Sequence, residues 1–254
     1  MNIALFLQMA AEAEPDRIGL VCDGRRWSYG ALLRAAQGAA VTMSKSGCAH
    51  VALLDESSEA APIALFGAAL AGLPYVPLNY RLADTDLAAL LERIAPAFII
   101  GDVDRIKRLA RDDEHVYFTR CDFVAKAEFA ADNTPVKEHD GEGIAAQIFT
   151  SGTTAAPKAA LLRHTHLVSY ILGTVEFCSA SENEAALVCV PPYHIAGIAA
   201  LLSSIYAMRR IVLLPSFEPD AWLELAADAG FRAPSVVAAA PEITVLFGTE
   251  SIAD

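Results

Sequence analysis

Gln147-Ile148-Phe149-Thr150-Ser151-Gly152-Thr153-Thr154-Ala155-Ala156-Pro157-Lys158 is the stretch on which the reading of this chain turns. It follows directly from Ile144-Ala145-Ala146-Gln147-Ile148-Phe149, an apolar run of strand length that the hydroxyl-rich residues break abruptly. The pattern predicts a buried strand whose end carries a polar loop. Hydroxyl and backbone N–H groups at Thr150, Ser151, Gly152, Thr153 and Thr154, with the mobile charge of Lys158, make a donor set suited to phosphate oxygens. The G-x-x-x-x-G-K-[ST] spacing of a Walker A loop is absent, which disfavours a generic kinase or GTPase. On composition alone the same residues also fit a solvated Ser/Thr turn.

Beyond the loop, Ala159-Ala160-Leu161-Leu162-Arg163 reads as a short strand, followed by a helix with Leu167, Tyr170, Ile171 and Val175 at helical spacing. Thr165 is the expected N-cap, with His164 and His166 at the start of the helix. Their H-x-H spacing places the two rings on different faces of a helix, so capping is expected there rather than metal ligation.

Outward from this region, helical stretches at 31–45 and 84–94 alternate with apolar strand-like runs at 50–54, 97–100 and 185–190. That alternation predicts an α/β protein with mostly parallel sheets and helices on both faces. At 254 residues and 54% hydrophobic the chain has material for a sizeable core, and no internal repeat is visible. Residues 102–143 are the most polar region and read as a surface excursion; the basic run at 105–111 reads as a solvated helix face.

A formal charge of −12, from 31 acids against 19 bases, argues against a nucleic-acid partner. The N-terminus lacks a basic leader, which points to cytoplasmic residence. Residues 60–78 carry no charge, but Pro62, Gly67, Gly72, Pro74 and Pro77 interrupt them, so a buried helix and strand are expected rather than an integral membrane segment. The cysteines at 22, 48, 121, 178 and 189 form no C-x-x-C pair and read as reduced and mostly buried.

Phe149 to Lys158 resembles the phosphate-binding signature of the acyl-adenylate-forming superfamily, aromatic-T-S-G-T-T-G-x-P-K-G, with Ala155 and Ala159 where the pattern has glycine. Three further segments resemble the family in the same order along the chain. Glu14 to Arg17 with Trp27-Ser28-Tyr29-Gly30-Ala31-Leu32 is similar to an opening hairpin and helix, Ser28 being the N-cap. Gly67 to Asn79 resembles a helix, glycine stop and strand, and Val190-Pro191-Pro192-Tyr193-His194-Ile195-Ala196-Gly197 resembles the second core motif bordering the acyl site. Tyr75 to Leu82 and the His194 motif are most similar to acyl-CoA synthetases.

The resemblance implies ATP-dependent activation of a small-molecule carboxylic acid, of the fatty-acid type, to acyl-AMP and then transfer to coenzyme A. Thr150, Ser151, Gly152, Thr153, Thr154 and Lys158 would hold the nucleotide, Thr154 with Mg2+, and His194 would line the passage between acyl carboxylate and adenylate. A carboxylate is already ionised at neutral pH, so no general base is needed. Family members also carry an adenine-binding Thr-Glu pair, a ribose-binding aspartate, a hinge and a lid domain with a lysine, none of which has a counterpart here. Residues 1–254 are therefore expected to be a partial N-terminal, AMP-binding domain without the C-terminal lid domain, inactive alone, with exposed apolar surface that drives homo-oligomerisation. The alternative is a non-catalytic remnant that binds nucleotide, acyl group or a partner subunit without turnover.

Overall fold

The alternation of apolar runs and helical stretches becomes, in a computed structural model, two sheets separated and flanked by helices. The structure describes residues 1–110, 115–130, 139, 141–150 and 157–228. In chain order they form α1 (Ala4–Ala13), β1 (Ile18–Cys22), β2 (Arg25–Ser28), α2 (Tyr29–Ser44), β3 (His50–Leu54), α3 (Ala60–Ala71), β4 (Tyr75–Pro77) and α4 (Asp84–Arg93). Then follow β5 (Ala97–Gly101), α5 (Val103–Leu109), β6 (His115–Phe118), α6 (Arg120–Phe129), β7 (Ile144–Thr150), β8 (Lys158–Arg163) and α7 (His164–Thr174). The series closes with β9 (Ala185–Val188), α8 (Ile195–Tyr206), β10 (Arg210–Leu213) and α9 (Pro219–Asp228).

One sheet has the order β2-β1-β10-β9, the other β6-β5-β3-β4-β7-β8. Every pairing is parallel except two hairpins at sheet margins, β1 with β2 and β7 with β8. The inner strands are apolar throughout because both faces are covered. Val51 and Leu53 of β3 and Phe98 and Ile100 of β5 point into the central core, while Ala52, Leu54, Ala97 and Ile99 meet Leu87, Leu91 and Ile106 on the far side. The smaller sheet repeats the scheme: Ala186, Val188, Ile211 and Leu213 face the centre, and Ala185, Leu187 and Val212 face outward toward Trp222 and Leu225 of α9. The result is helix, sheet, helix, sheet, helix, with α1, α2, α3, α6 and α8 between the sheets.

Local chemistry fixes the elements. Ser28 caps α2 by accepting from the Ala31 N–H at 3.2 Å, as its position after the hairpin predicts. In α3, Pro62 falls in the first turn, where its missing N–H costs no intrahelical bond, and Gly72 ends the helix at φ 72°, ψ 26°. At 12 residues α3 is about 18 Å long, well short of a hydrocarbon core of about 30 Å. No helix among the described residues is long and apolar enough to cross a membrane. Gly67 lets α3 lie close against α2: a Cβ there would lie 2.8 Å from that of Ala39.

Three sequence expectations change. Residues 102–143 are not merely a surface excursion, since β6 extends the larger sheet beside β5 and α6 packs on α2. Within the basic run, Arg105 is not a solvated residue: its guanidinium donates to Asp84 Oδ1 and to the carbonyls of Tyr80 and Leu82 at 2.7–2.9 Å. Thr165 is not the N-cap of α7. The chain passes from β8 straight into the helix, so Arg163, with φ −76° and ψ 155°, takes that place and its N–H meets the His166 ring at 3.4 Å. His164 is buried, and its Nδ1 lies 3.5 Å from the Ile3 N–H, which ties the N-terminus to α7.

Candidate active site

The parallel strands of each sheet bring several loops to their carboxyl ends, the edge where open α/β sheets bind ligands. Strand β7 ends there at Thr150, and β8 begins at Lys158, the two forming the last register pair of the hairpin. Both are exposed, and Thr150 Oγ1 makes a long contact of 3.5 Å with the Lys158 carbonyl. Ser151, Gly152, Thr153, Thr154 and Ala155 lie outside the described residues. Ala159, where the signature has glycine, is in extended strand paired with Phe149, a conformation that alanine adopts freely.

From the smaller sheet, β9 leads through Cys189 and Val190 into the Pro191–His194 turn, and α8 starts after His194. His194 has φ −94° and ψ 140°, an exposed side chain and no capping hydrogen bond from it. Its ring lies 4.7 Å from that of Tyr193 at 44°. Tyr193 is buried and meets the Tyr80 ring edge-on at 5.5 Å. Tyr80 follows β4 of the larger sheet, so this pair of rings joins the carboxyl ends of the two sheets. Ser57 adds a second stitch, its hydroxyl donating to the Val190 carbonyl at 3.2 Å in a buried position.

Beneath the turn the interior is filled. The void bounded by Ser57, Tyr75, Val190, Pro192, Gly197 and Leu201 is only about 20 Å³, room for a single water. Gly197 permits this closeness, since a Cβ would stand 3.2 Å from the Pro191 carbonyl. The open space beside His194 is therefore on the outer side, where Ile195 is 47% exposed. Burial pushes the Cys189 thiol up, so it stays neutral and inert behind the turn.

Arginines and carboxylates alternate around these strand ends, with Asp55, Asp84 and Asp102 beside the arginines. Arg93 at the end of α4 donates to the Pro157 carbonyl and stacks 4.9 Å above the Phe149 ring. Arg81 lies 5.7 Å from the Tyr80 ring, and Arg105 straps the 80–82 segment from α5. Sequence reading missed Tyr80, Arg93 and Arg105 as neighbours of this region because their partners lie 21 to 113 positions away. Tyr80 stood within the family-like stretch 75–82 and was the one legible signal. Among the described residues no three His, Cys, Asp or Glu side chains are grouped to hold a metal ion.

Comparisons with known proteins place the chain in a family. Residues 7–247 match the AMP-binding enzyme family. Indoleacetate–CoA ligase of Aromatoleum aromaticum is 27% identical over 237 residues, covering 87% of this chain and 46% of the relative. The fatty acid–[acyl-carrier-protein] ligase ScoC of Streptomyces coeruleorubidus is 28% identical over 248 residues, covering 90% and 46%. ATP-bound MatB from Rhodopseudomonas palustris superposes with a TM-score of 0.78 at 26% identity, over 89% of this chain and 48% of that one. The N-terminal domain of FACL13 from Mycobacterium tuberculosis, at 22% identity and a TM-score of 0.77, shares the fold over 89% of this chain and 60% of that one. The chain spans about half the length of the curated relatives it matches. With the family matched across nearly its whole length, the chain belongs to the AMP-binding enzymes, the adenylate-forming ligases.

Proposed function

We propose that this chain supplies the nucleotide-holding and acyl-facing parts of an ATP-dependent acid–thiol ligase, residues 1–254 corresponding to the N-terminal, AMP-binding portion of such an enzyme. The observation that carries the reading is that the β7–β8 hairpin end, with Thr150 and Lys158, and the Tyr80–Tyr193–His194 rings all lie at the carboxyl ends of the two sheets' parallel strands. Lys158 and the donors of Thr150, Ser151, Gly152, Thr153 and Thr154 bind the triphosphate. Binding there holds the α-phosphate in line for a carboxylate oxygen of the acid. The new bond is acyl oxygen to α-phosphorus, the broken one is α-phosphorus to bridging oxygen, and pyrophosphate leaves. His194 stands between acid and adenylate as a hydrogen-bond donor and gate. The thiol of coenzyme A then takes the acyl group and AMP departs.

Magnesium suits this donor set. Mg2+ keeps several waters and is held largely by substrate phosphates, to which the Thr154 hydroxyl would add one protein oxygen. When bound it would supply charge neutralisation to the triphosphate. The filled interior behind His194 directs the acyl group outward past Ile195, which suits a fatty or other apolar acid.

A second reading, binding without turnover, draws on Ala155 in place of glycine; Ala159 lends it no support, being extended. The two are separated by ATP–pyrophosphate exchange over a panel of carboxylic acids, run with Mg-ATP calorimetry on this chain and on a longer form carrying the segments its relatives have. Exchange by the long form that His194→Ala lowers supports the ligase. Mg-ATP binding without exchange by either form favours the binding-only reading. No Mg-ATP binding by either form overturns both.

A further inference from the structure

The ladder between β7 and β8 joins the two ends of the Ser/Thr segment to each other, and β7 is anchored further back by its pairing with β4 at Ala146 and Tyr75. At the roots themselves, a side chain of α4 adds a further attachment. Arg93, in the last turn of α4, donates through Nη1 to the Pro157 carbonyl at 2.5 Å, just outside the final Thr150–Lys158 pair. The same guanidinium lies over the Phe149 ring at 4.9 Å, one residue before that pair on the opposite strand. Phe149 is half-buried against the cluster containing Leu87, Leu90 and Leu91, so α4 holds the ring from beneath while its own Arg93 covers it. A cation also suits this place because the carbonyl end of α4 is electronegative. The planar guanidinium can stack on an aromatic face and donate in its own plane at once, which an ammonium cannot.

We propose that Arg93 is a positioning residue for nucleotide binding: a clasp that fixes both roots of the 151–156 segment to α4, acting through Phe149 and Pro157 rather than by touching the nucleotide. The proposal rests on the reading of 150–158 as the phosphate-holding segment. It also gives the leading aromatic of the signature a task, as the seat for the guanidinium.

The test uses the full chain with Arg93→Ala, Arg93→Lys, Phe149→Leu and the Arg93→Ala/Phe149→Leu double variant. Mg-ATP binding is measured by calorimetry, and trypsin cleavage after exposed Lys158 by mass spectrometry. Expected are Mg-ATP binding weakened about tenfold in Arg93→Ala, the scale of one lost charge-assisted hydrogen bond, and faster cleavage after Lys158. Cleavage elsewhere and the melting temperature stay at wild-type values. Arg93→Lys recovers only part of the affinity, and the double variant is no weaker than Arg93→Ala because the two residues act as one unit. Wild-type affinity and cleavage in Arg93→Ala would overturn the clasp, as would losses that track a lowered melting temperature. If wild type itself binds no Mg-ATP, the nucleotide reading fails, and the Lys158 cleavage rates still decide whether Arg93 holds the segment.

Discussion

Ala159 shows how a departure from a family signature is judged by backbone conformation. Glycine is required where φ is positive, and here the residue is extended and paired across the hairpin with Phe149. Ala159→Gly is therefore expected to leave Mg-ATP affinity unchanged and to lower stability by about 0.5–1 kcal/mol through added unfolded-state freedom, measured by urea denaturation. The cysteines divide by burial. Cys121 and Cys178 are exposed, whereas Cys22, Cys48 and Cys189 are buried. An alkylating reagent should label two thiols in the native chain and five in denaturant, counted by mass spectrometry. Burial, with Glu59 and Asp23 nearby, pushes the Cys22 thiol from 9.0 up to about 12. The folded state thus holds this proton more tightly than the unfolded chain. Its contribution to stability is complete below pH 9 and is lost as pH rises toward 12. The urea midpoint should fall over that window, and less steeply in Cys22→Ala. The buried Tyr29 and Tyr75 hydroxyls, also pushed up, add to the fall in both proteins.

Elements with local signals were legible in the sequence, and those made by distant partners were not. Ser28 after a hairpin and Gly72 after an apolar helix announce a start and a stop through their own backbone chemistry. His115 to Phe118 gives no such sign. It is a strand because β5 offers an edge and Phe118 stacks on Phe98 at 4.9 Å, neither of which is local. The cap at Arg163 was hidden for a related reason: Thr165 has the better side chain, but the strand continues to Arg163 and leaves no extended residue at 165. The candidate site divides the same way. Lys158 and His194 were legible as motif residues, while the contacts that set their surroundings come from α4, α5 and the segment after β4. Arg105 is the clearest case, joining α5 to that segment by two hydrogen bonds and to α4 by a third. Arg105→Ala is expected to destabilise the fold by about 1–3 kcal/mol in urea denaturation, since two carbonyls lose a charged donor. Arg105→Lys should recover less than half of this, having no fork to span them.

For the whole molecule, two sheets back to back with one central helical layer leave the rims to be managed separately. Strand β8 is the outermost of the larger sheet, with Leu161 51% exposed, and α7 beside it exposes Tyr170 and Leu172. Edges of this kind pair with other chains unless charged or covered. We expect self-association at micromolar concentration, seen by sedimentation velocity as a concentration-dependent dimer, and its loss in Leu161→Lys; a clean wild-type monomer across that range would refute it.

The pairing of β1 with β10 reaches further than shape. A ribosome delivers Ile18–Cys22 early, yet its parallel neighbour Arg210–Leu213 emerges almost two hundred residues later, after every strand of the larger sheet. During that interval the larger sheet can close on local partners, while the β1–β2 hairpin has one flank open and must be kept from strangers. The smaller sheet, and with it the support beneath the turn that carries His194, is thus completed only after every strand of the larger sheet has been made.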